Sequence, residues 1–170
     1  DFPRAGECLE RAREGFELLG ASLDMAQAMN SQGQLDAALG RPHRTSGAYR
    51  EALAWCRRFG GAPDLEVTIR LNLAALYLES GRLLEAEEQA RRGEHVAIEQ
   101  SLTRRLVPIY LFLGRLRGAQ GDDGGFVFFE KALELDPEEP QGHLNLAELL
   151  YDNGDLEAAE ARRREVLRRD

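Results

Sequence analysis

Asn145-Leu146-Ala147 is followed at seven residues from the alanine by Gly154-Asp155, five later by Ala158-Ala159, and seven after Ala159 by Val166. The same offsets recur upstream in Leu73-Ala74, Gly81, Ala86 and Gly93, and again in Gly33, Gly40, Thr45, Tyr49 and Ala52. A further copy, Gly114, Gly121, Gly125, Phe129 and Ala132, is one residue short between Gly121 and Gly125. Self-similarity at a period of tens of residues marks stacked supersecondary units. Small residues at Gly33, Ala74, Gly114 and Ala147 would let the first helix of a pair cross the second closely. Thr45, Ala86, Gly125 and Ala159 would be the reciprocal small positions. Tyr49 and Phe129, with Leu9 and Ala90, are expected to fill the gap between successive pairs. The glycines Gly40, Gly81, Gly121 and Gly154 would supply left-handed backbone at each turn, where glycine costs least.

Working outward, the helical periodicity predicts an all-α chain of about nine helices. Ala5, Leu9, Ala12, Phe16 and Leu19 share one face of a helix over 2–20, which Gly20 ends. Its Ala5–Leu9–Ala12 spacing repeats Thr45–Tyr49–Ala52, so it reads as the second half of a truncated repeat with one uncovered apolar face. Full repeats then follow over 22–60, 64–100, 103–136 and 138–169, in a single array over 1–170. Pro42 suits a helix start, Gly60-Gly61-Ala62-Pro63 stops the preceding helix, and Asp64 is expected to cap the next. The intervals Ala12–Ala52, Ala52–Gly93, Gly93–Ala132 and Ala132–Val166 are 40, 41, 39 and 34 residues.

Composition narrows the function. The chain has 170 residues and a formal net charge of −8, whereas a nucleic-acid binder normally carries a basic stripe. The densest basic stretch, Arg162-Arg163-Arg164 with Arg168-Arg169, is either a solvated helix end or a patch for an anionic partner. No apolar run reaches the ~20 residues of a membrane span. The opening Asp1-Phe2-Pro3-Arg4 has no signal-peptide pattern and reads as the edge of an excised segment. Of the 22 basic residues only Lys131 is lysine, a usage that points to a GC-rich bacterial genome. Cys8 and Cys56 lie far apart with no CxxC pair, so a cytoplasmic protein with two small apolar thiols is the default; a disulfide between them stays open. His43, His95 and His143 fall in different repeats without a catalytic spacing, and no metal or cofactor motif is present. His143, one turn before Ala147, has a packing position. The Gly121–Gly125 stretch lacks the Lys-Ser/Thr of a phosphate loop. Phe126-Val127-Phe128-Phe129 is either core or a partly exposed patch.

At these residues the chain resembles the tetratricopeptide-repeat family. Lys131-Ala132-Leu133-Glu134-Leu135-Asp136-Pro137 is very close to that family's repeat-ending segment, and Asn145-Leu146-Ala147 with Gly154-Asp155 and Ala158-Ala159 matches its next repeat. The longer period is similar to the ~40-residue variant of bacterial signalling proteins and kinesin light chains. The resemblance implies an α-solenoid wound as a right-handed superhelix, whose concave groove binds a peptide or helix. It places in that groove Gln27, Asn30, Ser31 and Gln34 from the first pair, and Thr68, Leu71, Asn72, Ala75 and Glu79 from the second. The third pair contributes Pro108, Leu111, Phe112 and Arg115; the fourth contributes Gln141, Leu144, Asn145, Glu148, Tyr151 and Asp152. Asn72 and Asn145, equivalent in position, either hold a peptide backbone through their amides or are solvated polar residues. The lysines of the chaperone-binding carboxylate clamp are missing, with Leu71 and Leu144 beside the asparagines. Where the family favours a large residue three positions after the small one, Tyr77 and Leu150 comply, whereas Asp36 and Arg117 either sit at the groove edge or contact a ligand or a buried partner.

The resulting expectation is a non-enzymatic interaction scaffold, a segment of a larger bacterial regulatory protein, whose partner is a protein or peptide with an apolar segment flanked by basic residues. No nucleic acid and no membrane enter this reading. The alternative is a structural or oligomerisation module whose groove and uncapped end pack against its own chain or a second copy.

Overall fold

In a computed structural model the chain is described over residues 20, 23–60, 62–121 and 124–167, and these are helices joined by short turns. In order they are α1 (23–38), α2 (Pro42–Phe59), α3 (Pro63–Glu79), α4 (Leu83–Glu99), α5 (Thr103–Ala119), α6 (Gly125–Leu135), α7 (Pro140–Asp152) and α8 (Leu156–Leu167). The expected helix over 2–20, with Cys8, Leu9, Ala12 and Phe16, lies outside the described residues, as do Arg168 and Arg169. Sequence neighbours pack as hairpins, α3 on α4, α5 on α6 and α7 on α8, and each hairpin packs on the next. α3 also touches α5, and α5 touches α7, whereas among the described residues the backbones of α4 and α6, and of α6 and α8, stay farther apart; α4 reaches α6 through Arg91, whose guanidinium stands 5.0 Å from the Phe128 ring. The first helices therefore form the tighter inner layer and the second helices the splayed outer one, which bends the stack around the face of α3, α5 and α7.

The seam inside each hairpin is the closest approach. A Cβ built on Gly33 would lie 2.4 Å from Cε1 of Tyr49, and one on Gly114 would lie 2.4 Å from Cε1 of Phe129. Both rings thus pack inside their own hairpins, a correction to the expectation that they fill the gap between successive pairs. The second hairpin solves the same crossing differently. Its equivalent positions are Ala74 and Ala90, both fully buried. A glycine under an aromatic ring in one hairpin and a pair of alanines in the next are two ways of letting the helices cross closely, because a small residue on the first helix keeps the axes near. Gly125 is held by backbone, since a Cβ there would stand 2.8 Å from the Gly114 carbonyl oxygen. Gly142 performs a like service between hairpins, against Leu133, and the repeat signature does not mark it.

The turns follow from backbone chemistry. Gly40, Gly81, Gly121 and Gly154 all have positive φ, between 66° and 82°. After three of them the next amide donates back five residues, Arg41 to the Asp36 carbonyl, Arg82 to the Tyr77 carbonyl and Asp155 to the Leu150 carbonyl, which closes the end of the preceding helix. Ser101, at φ 55°, makes the equivalent turn between α4 and α5. At the start of α3 the expected Asp64 cap is replaced: Ala62 is the cap residue, Pro63 opens the helix, and Asp64 sits in its first turn. Proline at the first helical position needs no amide partner, so the carboxylate of Asp64 is free to take the guanidinium of Arg105 on α5.

The same turns explain the two departures from the family pattern. Asp36 is 3% exposed. Its carboxylate accepts from Gln32 Nε2 at 2.9 Å and from Arg41 Nη1 at 3.4 Å. In the next hairpin the equivalent Tyr77 carries the guanidinium of Arg82 over its ring, 4.5 Å from the centroid. Both residues grip the arginine that follows the turn glycine, one by charge and one by its π face. Arg117 is paired too, donating to Glu87 on α4 and to Gln120 Oε1 at 3.1 Å. Neither is left for a ligand. The hydrogen bond from Gln32, followed by that from Arg41, holds the Asp36 carboxyl below the usual aspartate range.

Two outcomes are expected. Gly114→Ala gains roughly 1 kcal/mol of helix propensity but must displace the Phe129 ring, so a net loss of about 1–2 kcal/mol is expected in urea denaturation. In a Phe129→Ala background, which imitates the Ala74–Ala90 pair, the sign should reverse and Gly114→Ala should stabilise by up to ~1 kcal/mol. For Asp36, a lowered folded-state pKa contributes stability that is complete above the ordinary value of 3.8 and is lost as the pH falls through the folded value. Asp36→Asn should therefore melt below the wild type at pH 7, with the gap closing below pH 3.8. Thermal melts at neutral and acid pH check this, and a gap that persists in acid would exclude the carboxylate as its cause.

Candidate functional site: the concave face

The inner layer of α1, α3, α5 and α7 carries the side chains that the sequence places in the groove. At its N-terminal end Asn72 Nδ2 on α3 donates to Asn30 Oδ1 on α1 at 3.0 Å, so two expected site residues meet as an amide ladder. Asn30 is buried, and Gln27, Ser31 and Gln34 of the same helix are exposed. On α3, Leu71 and Ala75 are half-buried against the core, Thr68 returns its hydroxyl proton to the Asp64 carbonyl at 3.0 Å, and Glu79 is exposed.

The middle of the face is less apolar than expected. Leu111 is half-buried, but Phe112 is 8% exposed and belongs to the core. One residue along a helix is 100° around it, which turns Phe112 from the face of Leu111 toward the packed side with Leu113 and Leu116. Phe112 is therefore withdrawn as a groove contact. Pro108 is exposed in the interior of α5. Leu144 and Tyr151 of α7 are exposed, and Arg163 of α8 stands 5.9 Å from the Tyr151 ring.

Between α5 and α7 the face opens into a cleft of about 300 Å³ that unites four of the expected residues: Arg115, Asn145, Glu148 and Asp152. Gly114, Gly118, Phe129 and Leu149 complete its lining. Asn145 is 8% exposed, and its Oδ1 accepts from Gln141 Nε2 at 2.7 Å. Its Nδ2 is buried without a partner, a state that costs free energy unless something accepts from it. The two asparagines that the sequence equates thus differ: Asn72 is satisfied by Asn30, and Asn145 is not satisfied. Gly118 and Leu149 were missed because neither belongs to the repeat signature. The pairing of Arg70 with Glu66 and, at 3.1 Å, with Gln89 was also missed. Arg70 is 7% exposed, and its signal is the Glu66–Arg70 spacing of four.

Elsewhere the face offers little chemistry. His43 and His95 are exposed, and His95 pairs with Glu99 at 3.2 Å. His143 is buried with Nε2 donating to the Pro137 carbonyl at 2.9 Å, in a packing position. Cys56 is a buried free thiol whose pKa is raised, first by burial. Phe128 and Phe129 are core, and Val127 is exposed. Among the described residues no three His, Cys, Asp or Glu side chains are grouped to hold a metal, and no helix is long and apolar enough to cross a membrane.

Residues 123–170 match a sequence model of the tetratricopeptide repeat. A comparison with curated proteins finds no match. Among solved structures, BtubC (BKLC) from P. vanneervenii aligns with a TM-score of 0.76 and 21% identity, over 98% of this chain and 74% of that one. PilF from Pseudomonas aeruginosa aligns with a TM-score of 0.70 and 18% identity, over 98% of this chain and 71% of that one. MamA aligns with a TM-score of 0.66 and 13% identity, over 92% and 84% of the two chains. At these identities the likeness speaks for the fold alone. With the repeat signature, the left-handed turn glycines and the inner and outer helix layers in place, the chain has the fold of an α-solenoid of stacked helical hairpins, and its residues 123–170 match the tetratricopeptide repeat.

Proposed function

We propose that this array is a non-enzymatic binding scaffold that holds a peptide or helix of a partner protein along the face of α1, α3, α5 and α7, as part of a larger bacterial, cytoplasmic regulatory protein. The observation that carries the reading is the unpartnered, buried Nδ2 of Asn145 in the α5–α7 cleft. A peptide carbonyl would satisfy it, and no described residue does. The remaining surface fits a partner with an apolar segment flanked by basic residues. Leu71 and Leu111 offer half-buried apolar contacts, and Glu148 and Asp152 offer carboxylates at the C-terminal end. The carboxylates would act mainly on encounter rate and be screened by salt, while the buried amide would act on residence time.

A second reading, self-association, draws on Met25 and Leu35 of α1 and Leu39 just after it, which are 41%, 54% and 52% exposed at the N-terminal edge of the described stack. The uncapped helix expected over 2–20 lies outside the described residues and adds nothing to it. Light scattering separates the two, since this reading requires a dimer.

Peptides selected from a displayed library against the chain provide the ligand for the test. Asn145→Ala is expected to weaken such a peptide three- to tenfold, the equivalent of about 0.5–1.5 kcal/mol for a lost hydrogen bond, with little change in melting temperature. Asn72→Ala should weaken it by a similar factor through the amide ladder. Fluorescence polarisation measures both, and unchanged affinity in the two variants would move the binding surface off the concave face.

A further inference from the structure

Resting on that reading, we infer that the α5–α7 cleft is a receptor for one arginine side chain of the bound peptide. Four features of the cleft converge on that ligand.

The first is shape. Gly114 and Gly118, one turn apart on α5, strip that wall of side chains, and a Cβ on Gly118 would meet nothing within 4 Å. The ring of Phe129 and the side chain of Leu149 supply apolar surface behind the gap. A flat, weakly hydrated guanidinium suits such a slot better than a compact ammonium.

The second is charge. Glu148 and Asp152 stand one turn apart on α7, both exposed, and neither makes an ion pair with a described residue. A guanidinium has donors on two edges and can serve two carboxylates at once. The third feature is Asn145, 8% exposed, a residue of the same lining whose buried Nδ2 has no partner. It is a donor and cannot serve a cation, but it can take the main-chain carbonyl of the residue whose side chain enters the slot.

The fourth is the position of Arg115 on the opposite wall, exposed and with no carboxylate of a described residue within ion-pair distance. Two carboxylates against one guanidinium leave the cleft acidic by one charge. An acidic side chain would meet Arg115 only by passing both carboxylates. A cation gains from both and is opposed by one. Arg115 therefore tunes the affinity downward and favours ligands that reach Glu148 and Asp152 together.

The probe is N-acetyl-arginine N-methylamide, set against its neutral isostere, N-acetyl-citrulline N-methylamide, in NMR titrations of the isotope-labelled chain. The arginine probe should shift the Asn145 side-chain amide and the Gly118 backbone amide together and saturably. The citrulline probe should bind at least about tenfold more weakly, because charge-assisted hydrogen bonds are lost with the charge. Glu148→Gln with Asp152→Asn should remove the difference between the probes, and Arg115→Gln should tighten the arginine probe by about two- to fivefold. Equal binding of both probes, no shift at these two amides, or weaker binding in Arg115→Gln would overturn the arginine receptor. The groove reading is judged separately. A selected peptide that still needs Asn145, yet tolerates citrulline for each of its arginines, leaves the groove in place and removes the arginine slot.

Discussion

Everything in this array depends on how closely two helices can cross within one hairpin. At the crossing the chain uses two solutions, a glycine under a ring and a pair of buried alanines. Gly33 lies under Tyr49 and Gly114 under Phe129, while Ala74 faces the seam with Ala90. Because interiors are packed to a nearly constant density, a change on one helix of a hairpin requires the reciprocal change on the other. Hairpins that close in this way are the units that stack along the array.

The stack in turn makes the site. First helices touch along the array from α3 to α5 to α7, whereas among the described residues the backbones of successive outer helices lie farther apart and α4 reaches α6 through the side chain of Arg91. The inner layer therefore brings residues more than forty positions apart within hydrogen-bond reach, as in the pairing of Asn72 with Asn30. It also brings Arg115 and Glu148 to one cleft. Polar links across the hairpins, such as Arg105 with Asp64 and Arg117 with Glu87, run between elements that no local propensity would join. Exposed pairs of this kind add little stability singly, but they fix the register of one hairpin on the next.

Charge has two roles that must be kept apart. Where a charged side chain breaks the family pattern, at Asp36 and Arg117, it is consumed inside the fold by Arg41 and Gln32 or by Glu87 and Gln120. Where charge follows the helical face of α7, at Glu148 and Asp152, it makes no ion pair with a described residue and lies beside an amide whose buried Nδ2 has no acceptor. A departure from a repeat consensus is thus a poor guide to a ligand contact here. Unsatisfied hydrogen-bonding capacity is the better one, because folding has already covered its cost without collecting the bond.

The sequence by itself determined the repeat, the all-α class and the left-handed glycine turns, since each is a local matter of spacing and backbone sterics. It also determined which helices carry the amides and carboxylates of the concave face. It misjudged Phe112, because one residue of rotation separates groove from core, and it misjudged Asp64, because a proline at the helix start displaced the cap by two residues. The fates of Asn72 and Asn145 could not be told apart from equivalent positions. One amide meets Asn30 across a hairpin boundary and the other meets nothing on its donor side. Only the tertiary structure decides that difference, because it depends on which side chain the neighbouring hairpin presents across the boundary, and no local spacing encodes it.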